Sequence, residues 1–224
     1  MPRIVALVPM RHRSERLSGK NYKEFAGLPL YHHIIQSLLA SECFDEIVID
    51  TDSPAILKDA AKAFPTVKLI ERPEHLRAGT MPMNEILLHD VREVEADYYL
   101  QTHSTNPLLR PVTITEAVSR FVDGLPAYDS LFGVTQIRKY LWDSIGRPIN
   151  HNPNYLMRTQ DLPVVYEENS NLYVFSEESL LARRHRIGLR PQMFEIDALE
   201  AWDIDDEFEF QVGEFLFTHR MMND

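Results

Sequence analysis

Two clusters of charged side chains at opposite ends of the chain have the types and spacing to do chemistry. Near the start, Arg11, Arg13, Arg16 and Lys20 fall within ten residues, relieved only by Glu15, in a protein whose formal net charge is -11. Basic density against an acidic background points to a local anion site rather than to general basicity. Near the end, Glu195 to Glu209 holds eight acidic residues and no basic one. Within it Asp203 and Asp205 alternate along an extended stretch, which puts both carboxylates on one side. Two such carboxylates can share a magnesium ion, a hard cation that takes oxygen ligands and keeps several waters. Asp206 is available to cap the helix that follows. A phosphate-binding loop and a magnesium-holding pair complement one another, provided the fold joins the two ends of the chain.

The elements needed to do this can be read from hydrophobic patterning. Ile4 to Val8 is a continuous apolar run, as in a parallel strand covered on both faces, and Pro9, which has no N–H to donate, is expected to end it. The basic residues then form the loop after a first strand, the place where open α/β sheets commonly receive phosphate; its position and charge suit a nucleotide triphosphate. Leu30 to Ala40 has helical spacing, and Glu46 to Asp50 reads as a second strand. Ser53 or Asp52 is placed to cap a helix over 54–63, completing a β-α-β-α unit. Val67 to Glu71, Asp97 to Gln101 and Ser130 to Thr135 read as further strands. Helices are expected over about 82–94, from Pro111 to Asp123, over about 177–185, and around Phe208, Val212, Phe215 and Leu216.

Composition narrows the class of protein. With 224 residues, 44% hydrophobic and 25% charged, the chain is within reach of one large α/β domain. No basic stripe runs along an expected helix, so nucleic acid is not an expected partner. The apolar N-terminal run is too short for a signal or membrane segment, which implies a soluble, cytoplasmic protein without membrane association. Cys43 is the sole cysteine and, beside Phe44, reads as a small packed hydrophobe rather than a nucleophile.

The order of residues around the basic loop, Pro9-Met10-Arg11-His12-Arg13-Ser14-Glu15-Arg16-Leu17-Ser18-Gly19-Lys20-Asn21, resembles the N-terminal signature of the cytidylyltransferases that activate acidic sugars, the CMP-sialic acid and CMP-Kdo synthetases. Its Ser-x-Arg-Leu-x-Gly-Lys portion is closer to the Kdo type, and Glu15 stands where the sialic subgroup usually has lysine. Further along, Arg72-Pro73-Glu74-His75-Leu76, the Arg158 to Phe175 stretch with Arg158-Thr159-Gln160-Asp161-Leu162-Pro163, and Trp202-Asp203-Ile204-Asp205 resemble the same family. The resemblance implies a Rossmann-like three-layer α/β nucleotidyltransferase fold with a mainly parallel central sheet. It also implies a single domain over 1–224 with an excursion at about 138–170 that serves dimerisation, where Tyr140, Leu141 and Trp142 look exposed.

The implied reaction is attack of the anomeric hydroxyl of an acidic 2-keto sugar on the α-phosphorus of CTP, giving a CMP-sugar and pyrophosphate, with a place in building cell-surface polysaccharides. By the same resemblance, Arg11, Ser14, Arg16, Lys20, Asn21, Arg72 and Gln101 serve the nucleotide. Gln101, Asn106, Arg158, Gln160 and Asn169 serve the sugar. Asp203 and Asp205 hold Mg2+, and with Arg11 carry the catalysis, a metal-bound oxygen or one aspartate taking the proton. Partners are then CTP, the sugar acid and a second copy of the chain.

Besides Glu15, two departures from the family pattern stand out. The loop after Gln101 has no carboxylate before Arg110, so the magnesium ligand of the Kdo members has no counterpart there. His103 in that loop reads as solvated. Ser170-Asn171 replace a Gly-Ala pair, which leaves the sugar open. Two other readings stand beside this one: a metal-dependent glycosyltransferase of similar fold, in which the Asp-x-Asp pair holds a nucleotide-sugar diphosphate, and a nucleotide-binding homologue without turnover. Binding without pyrophosphate release separates the last from an enzyme.

Overall fold

A computed structural model describes residues 2–221 of the chain. In chain order it has β1 (Ile4–Met10), a 3-10 turn at Lys20–Tyr22, the short β2 (Glu24–Phe25) and β3 (Leu28–Pro29), α1 (Leu30–Ser41), β4 (Glu46–Thr51), α2 (Pro54–Ala63) and β5 (Lys68–Glu71). Next come α3 (Met83–Glu93), β6 (Tyr98–Thr102), α4 (Pro111–Asp123), β7 (Ser130–Ile137), β8 (Val165–Phe175), α5 (Glu177–Arg183), β9 (Pro191–Glu195) and α6 (Glu207–Met221).

Seven strands form one sheet in the order β5-β4-β1-β6-β8-β7-β9, while β2 and β3 pair apart from it. All neighbours pair in parallel except β8, which runs antiparallel to both β6 and β7. The alternation of side chains along a strand sets the layers. On β1, Ile4, Ala6, Val8 and Met10 face α1, α2 and α4 through Ile34, Ile56 and Phe121. Val5 and Leu7 face α3 and α5 through Leu87, Val91 and Leu180. Burying each such aliphatic side chain contributes about 1.5–3 kcal/mol, and β1 is buried along its whole length. Helices therefore cover both faces of a mainly parallel sheet, as the sequence pattern predicts.

Pro9 does not end β1. Pairing with β6 stops at Leu7, but pairing with β4 continues through Pro9↔Asp50 to Met10↔Thr51. A missing donor is tolerated where one neighbour has already left the strand. The cap of α2 is Ser53, whose Oγ accepts from the Ile56 N–H at 3.4 Å. Asp52 instead accepts from the His12 N–H at 2.6 Å and ties the basic loop to the end of β4. Asp206 caps α6 by accepting the Glu209 N–H at 2.9 Å.

A third, smaller cluster joins the two ends of the chain. Leu17, Phe25 and Leu30 pack with Ile204 and Phe210, flanked by Trp202 and Phe217. Ile204, between the two aspartates, is fully buried there, and its N–H donates to the Thr105 carbonyl at 3.0 Å. The burial of this one isoleucine seats Asp203 and Asp205 beside the basic loop. Residues 138–164, between β7 and β8, hold a 3-10 turn at Thr159–Asp161 and a bridge between Trp142 and Pro148.

Candidate active site

A cleft of about 460 Å³ opens over the carboxyl ends of β1 and β6. Five cations line it, Arg11, Arg16, Lys20, Arg72 and Arg186, against three carboxylates, Glu15, Asp203 and Asp205. This local excess of positive charge in an acidic chain suits an anionic ligand of several charges. The loop after β1 is fixed by hydrogen bonds through Asn21. Asn21 donates to the Arg11 carbonyl and accepts from the Ser104 hydroxyl, both at 2.8 Å, so it staples this loop to the one after β6. Gly19 has φ 68°, and a Cβ there would meet the Tyr22 ring at 2.9 Å, which explains the glycine before Lys20.

Arg11 reaches across to the Gly79 carbonyl at 2.9 Å. Lys20 is buried and donates to the Ile204 carbonyl and, at 3.2 Å, to Asp205 Oδ1. Arg16 pairs with Asp205 Oδ2 at 2.6 Å. The basic loop and the acidic segment are thus tied directly to one another through Asp205. Ser14 also faces the cleft.

Arg72 is held from below. Its Nε donates to Asp50 Oδ1 at 3.0 Å and its Nη2 to the carbonyls of Met10 and Asp50, in surroundings that leave both side chains buried. Asp50 in turn neighbours Asp90 on α3, with His89 alongside. Burial, followed by the negative charge of Asp50 and a hydrogen bond with it, pushes the Asp90 carboxyl up to about 9. At neutral pH Asp90 keeps its proton and Asp50 stays paired with Arg72. The three side chains Asp50, His89 and Asp90 lie close enough to hold a metal, but the Arg72 cation and the Asp90 proton already neutralise them.

On the other wall, Asp203 is half-buried, and its Oδ1, which is out of solvent, has no hydrogen-bond partner. Burial raises its pKa, opposed by a hydrogen bond from Thr105. A desolvated carboxylate oxygen with no donor fits a hard cation such as Mg2+; Asp205 adds a second oxygen set, engaged here by Arg16 and Lys20. His103 lines the cleft rather than facing solvent. Burial, then the Arg186 and Lys20 cations, lower its imidazole to about 3, so it is neutral and a weak base.

Gln101 and Asn106, expected to touch ligand, are fully buried behind the cleft wall. Gln101 is committed to the Thr102 carbonyl at 2.9 Å and, through its Oε1, to Arg186 at 2.7 Å. Asn169 lines a neighbouring cavity of roughly 670 Å³ that shares Ser170 and Asp203 with the first. Arg158 and Gln160 are exposed on the segment between β7 and β8 and line neither cavity, and Arg158 closes on Asp161 through bonds of 2.6 and 3.1 Å. The reason is local: three residues of a 3-10 turn bring the arginine and aspartate side by side. Arg186 is a charged cleft residue that the motifs do not contain. Its one signal in the sequence is Arg183-Arg184-His185-Arg186, a second basic run in an acidic chain.

An α/β sheet with a cation-rich cleft beyond its strand ends, facing two aspartates, has the charge and the place to receive a polyanion such as a nucleotide phosphate. The chain belongs to the cytidylyltransferase family, whose sequence profile matches residues 5–220. N-acylneuraminate cytidylyltransferase A of Danio rerio is 27% identical over 218 residues, covering 94% of this chain. The chain spans half the length of that relative (50%). The CMP-N,N'-diacetyllegionaminic acid synthase of Legionella pneumophila is 29% identical over 229 residues, 96% of each protein. Among solved structures, CMP:2-keto-3-deoxy-manno-octonic acid synthetase complexed with CTP shares the fold with a TM-score of 0.71 at 18% identity, covering 97% of this chain and 99% of that one.

Proposed function

We propose that the protein transfers CMP from CTP to the anomeric hydroxyl of an acidic 2-keto sugar. The sugar oxygen forms a bond to the α-phosphorus while the bond from that phosphorus to the departing pyrophosphate breaks. The observation that carries this reading is the meeting, in one cleft, of Arg11, Arg16 and Lys20 with Asp203 and Asp205. Arg11, Arg16 and Lys20 bind the triphosphate, exchanging their present carboxylate and carbonyl partners for phosphate oxygens. Ser14 adds a hydroxyl to the nucleotide site, Asn21 fixes the loop that presents these groups, and Arg72, locked by Asp50, serves the base or the phosphates nearest it. Such a site works by placing the reacting groups in line and neutralising charge as it develops, so little covalent chemistry is asked of the side chains.

Magnesium would be held by Asp203, with Asp205 beside it, and would supply positive charge to the phosphate oxygens. Asn169, in the adjoining cavity, and Ser170 lie where the acceptor would enter. The working form is a homodimer joined through residues 138–164, whose apolar side chains stand in water in the single chain. No helix among the described residues is long and apolar enough to cross a membrane, and a CTP-consuming reaction fits the cytoplasm.

The test is to incubate the protein with Mg2+, CTP and N-acylneuraminate, N,N'-diacetyllegionaminic acid or 3-deoxy-manno-octulosonate, the acids named for its relatives, and to measure pyrophosphate. One of them, or another 2-keto sugar acid, should release it stoichiometrically with a CMP-sugar. CTP binding with no release from any sugar acid would leave a binding protein and defeat the proposal.

A further inference from the structure

Taking the cleft to be the CTP and sugar-acid site just proposed, we infer that Arg186 recognises the acceptor's carboxylate and so selects acidic sugars. Resemblance gives that part to Arg158, but the fork of Arg158 is exposed and already filled by Asp161. Arg186 is in the opposite condition. Its backbone N–H donates to Asn84 Oδ1 at 3.1 Å, which pins the loop after α5 to α3. Its guanidinium lies over the Tyr173 ring, 3.6 Å from the centroid, and Nη1 donates to Gln101 Oε1 at 2.7 Å.

These contacts orient a planar cation without neutralising it. The amide is uncharged, and the Tyr173 hydroxyl is spent on Glu168 at 2.5 Å. Burial, the largest effect, together with Glu168 raises that phenol to about 12 although the nearby Arg186 acts the other way, so Tyr173 stays neutral as well. Among the described residues, Arg186 has no carboxylate within ion-pair distance; it meets the Gln101 amide and the Tyr173 side chain, and the Glu168 charge reaches it only from farther off. Burial works against its charge, opposed by Tyr173 and Glu168, and a half-buried cation with donors to spare is stabilised by an arriving anion.

Position and shape say which anion. Arg72 stands over β4 and β1, and Arg11, Arg16 and Lys20 come from the loop after β1, so the phosphate-binding charges gather on that side. Arg186 stands over β6 and β8, through Gln101 and Tyr173, next to the wall where Ser170 and Asp203 open into the second cavity. A flat, two-pronged donor matches a planar carboxylate better than a tetrahedral phosphate already served by other cations. In a 2-keto sugar acid the carboxylate is bonded to the anomeric carbon. Clamping it therefore also positions the hydroxyl that attacks.

The experiment compares wild type, Arg186→Gln and Arg158→Gln in pyrophosphate release, with CTP affinity measured separately by calorimetry. Loss of a charge-assisted hydrogen bond predicts that Arg186→Gln raises KM for the sugar acid about 10- to 100-fold, with CTP affinity retained. The preference of wild type for the acid over its carboxamide analogue should shrink by a similar factor. Retained CTP binding also reports an intact fold. An unchanged sugar KM in Arg186→Gln, a loss of CTP affinity in place of sugar affinity, or a KM effect confined to Arg158→Gln would each overturn the assignment. If wild type itself turns over no sugar acid, the proposed function fails first and this inference with it.

Discussion

At the scale of single residues, the site turns on positions whose backbone or burial is unusual. Ser170 has φ 56°, in the left-handed region, and stands where the resembling family carries glycine. The pairing of β7 with β8 jumps from Phe132↔Tyr173 to Val134↔Glu168, so β8 loops out around Asn169 and Ser170 and turns them toward the two cavities. An L side chain in that conformation costs roughly 1–2 kcal/mol, partly returned through a less flexible unfolded chain. Ser170→Gly should therefore raise the free energy of unfolding by about 0.5–1 kcal/mol, measured by urea denaturation. A loss of stability would mean that the serine hydroxyl, 3.4 Å from the Tyr173 hydroxyl, contributes more than the strain removes. The basic-loop residues are legible in the sequence because their order is long and local. Arg186 is not, since its role depends on Tyr173 and Gln101 from other strands.

At the scale of elements, legibility followed burial on both faces. β1 and β4 are nearly continuous apolar runs, and α4 begins at a proline and ends before a glycine, so sequence and structure agree to within a residue or two. β9 escapes because it is an edge strand with only Phe194 buried, and β2 and β3 because two residues carry no periodicity. Equally hidden is the device that joins β4, α3 and the loop after β5, in which protonated Asp90 supports Asp50 and Asp50 holds Arg72.

This device has a pH signature with a definite sign. Burial and the Asp50 charge push the Asp90 carboxyl up to about 9 in the folded protein, whereas in the unfolded chain it titrates in the ordinary carboxylate range. Stability from this group is thus complete at low pH and is lost progressively as pH rises toward 9. Asp90→Asn retains a donor for Asp50 but does not titrate. The difference in Tm between wild type and Asp90→Asn should shift in favour of the variant as pH is raised from 5 to 9; parallel curves would show that the proton is not held there.

At the scale of the whole molecule, the segment between β7 and β8 leaves Leu156 97% exposed, Ile145 71% and Tyr155 70%, an apolar display better explained by a partner than by solvent. Sedimentation at micromolar concentration should give twice the mass of the chain, and Leu156→Asp should shift the protein toward monomer; a wild-type monomer would refute the arrangement. The larger question is whether two ends of an acidic chain meet in order to move a nucleotide. Ile204 buries itself and thereby sets Asp203 and Asp205 against Arg16 and Lys20. The most direct measurement is pyrophosphate release by wild type and Asp203→Asn with saturating Mg2+, CTP and the best sugar acid, alongside CTP affinity. Asp203→Asn should lower turnover about 100-fold or more, with CTP binding largely kept. Near-normal release by Asp203→Asn would contradict this.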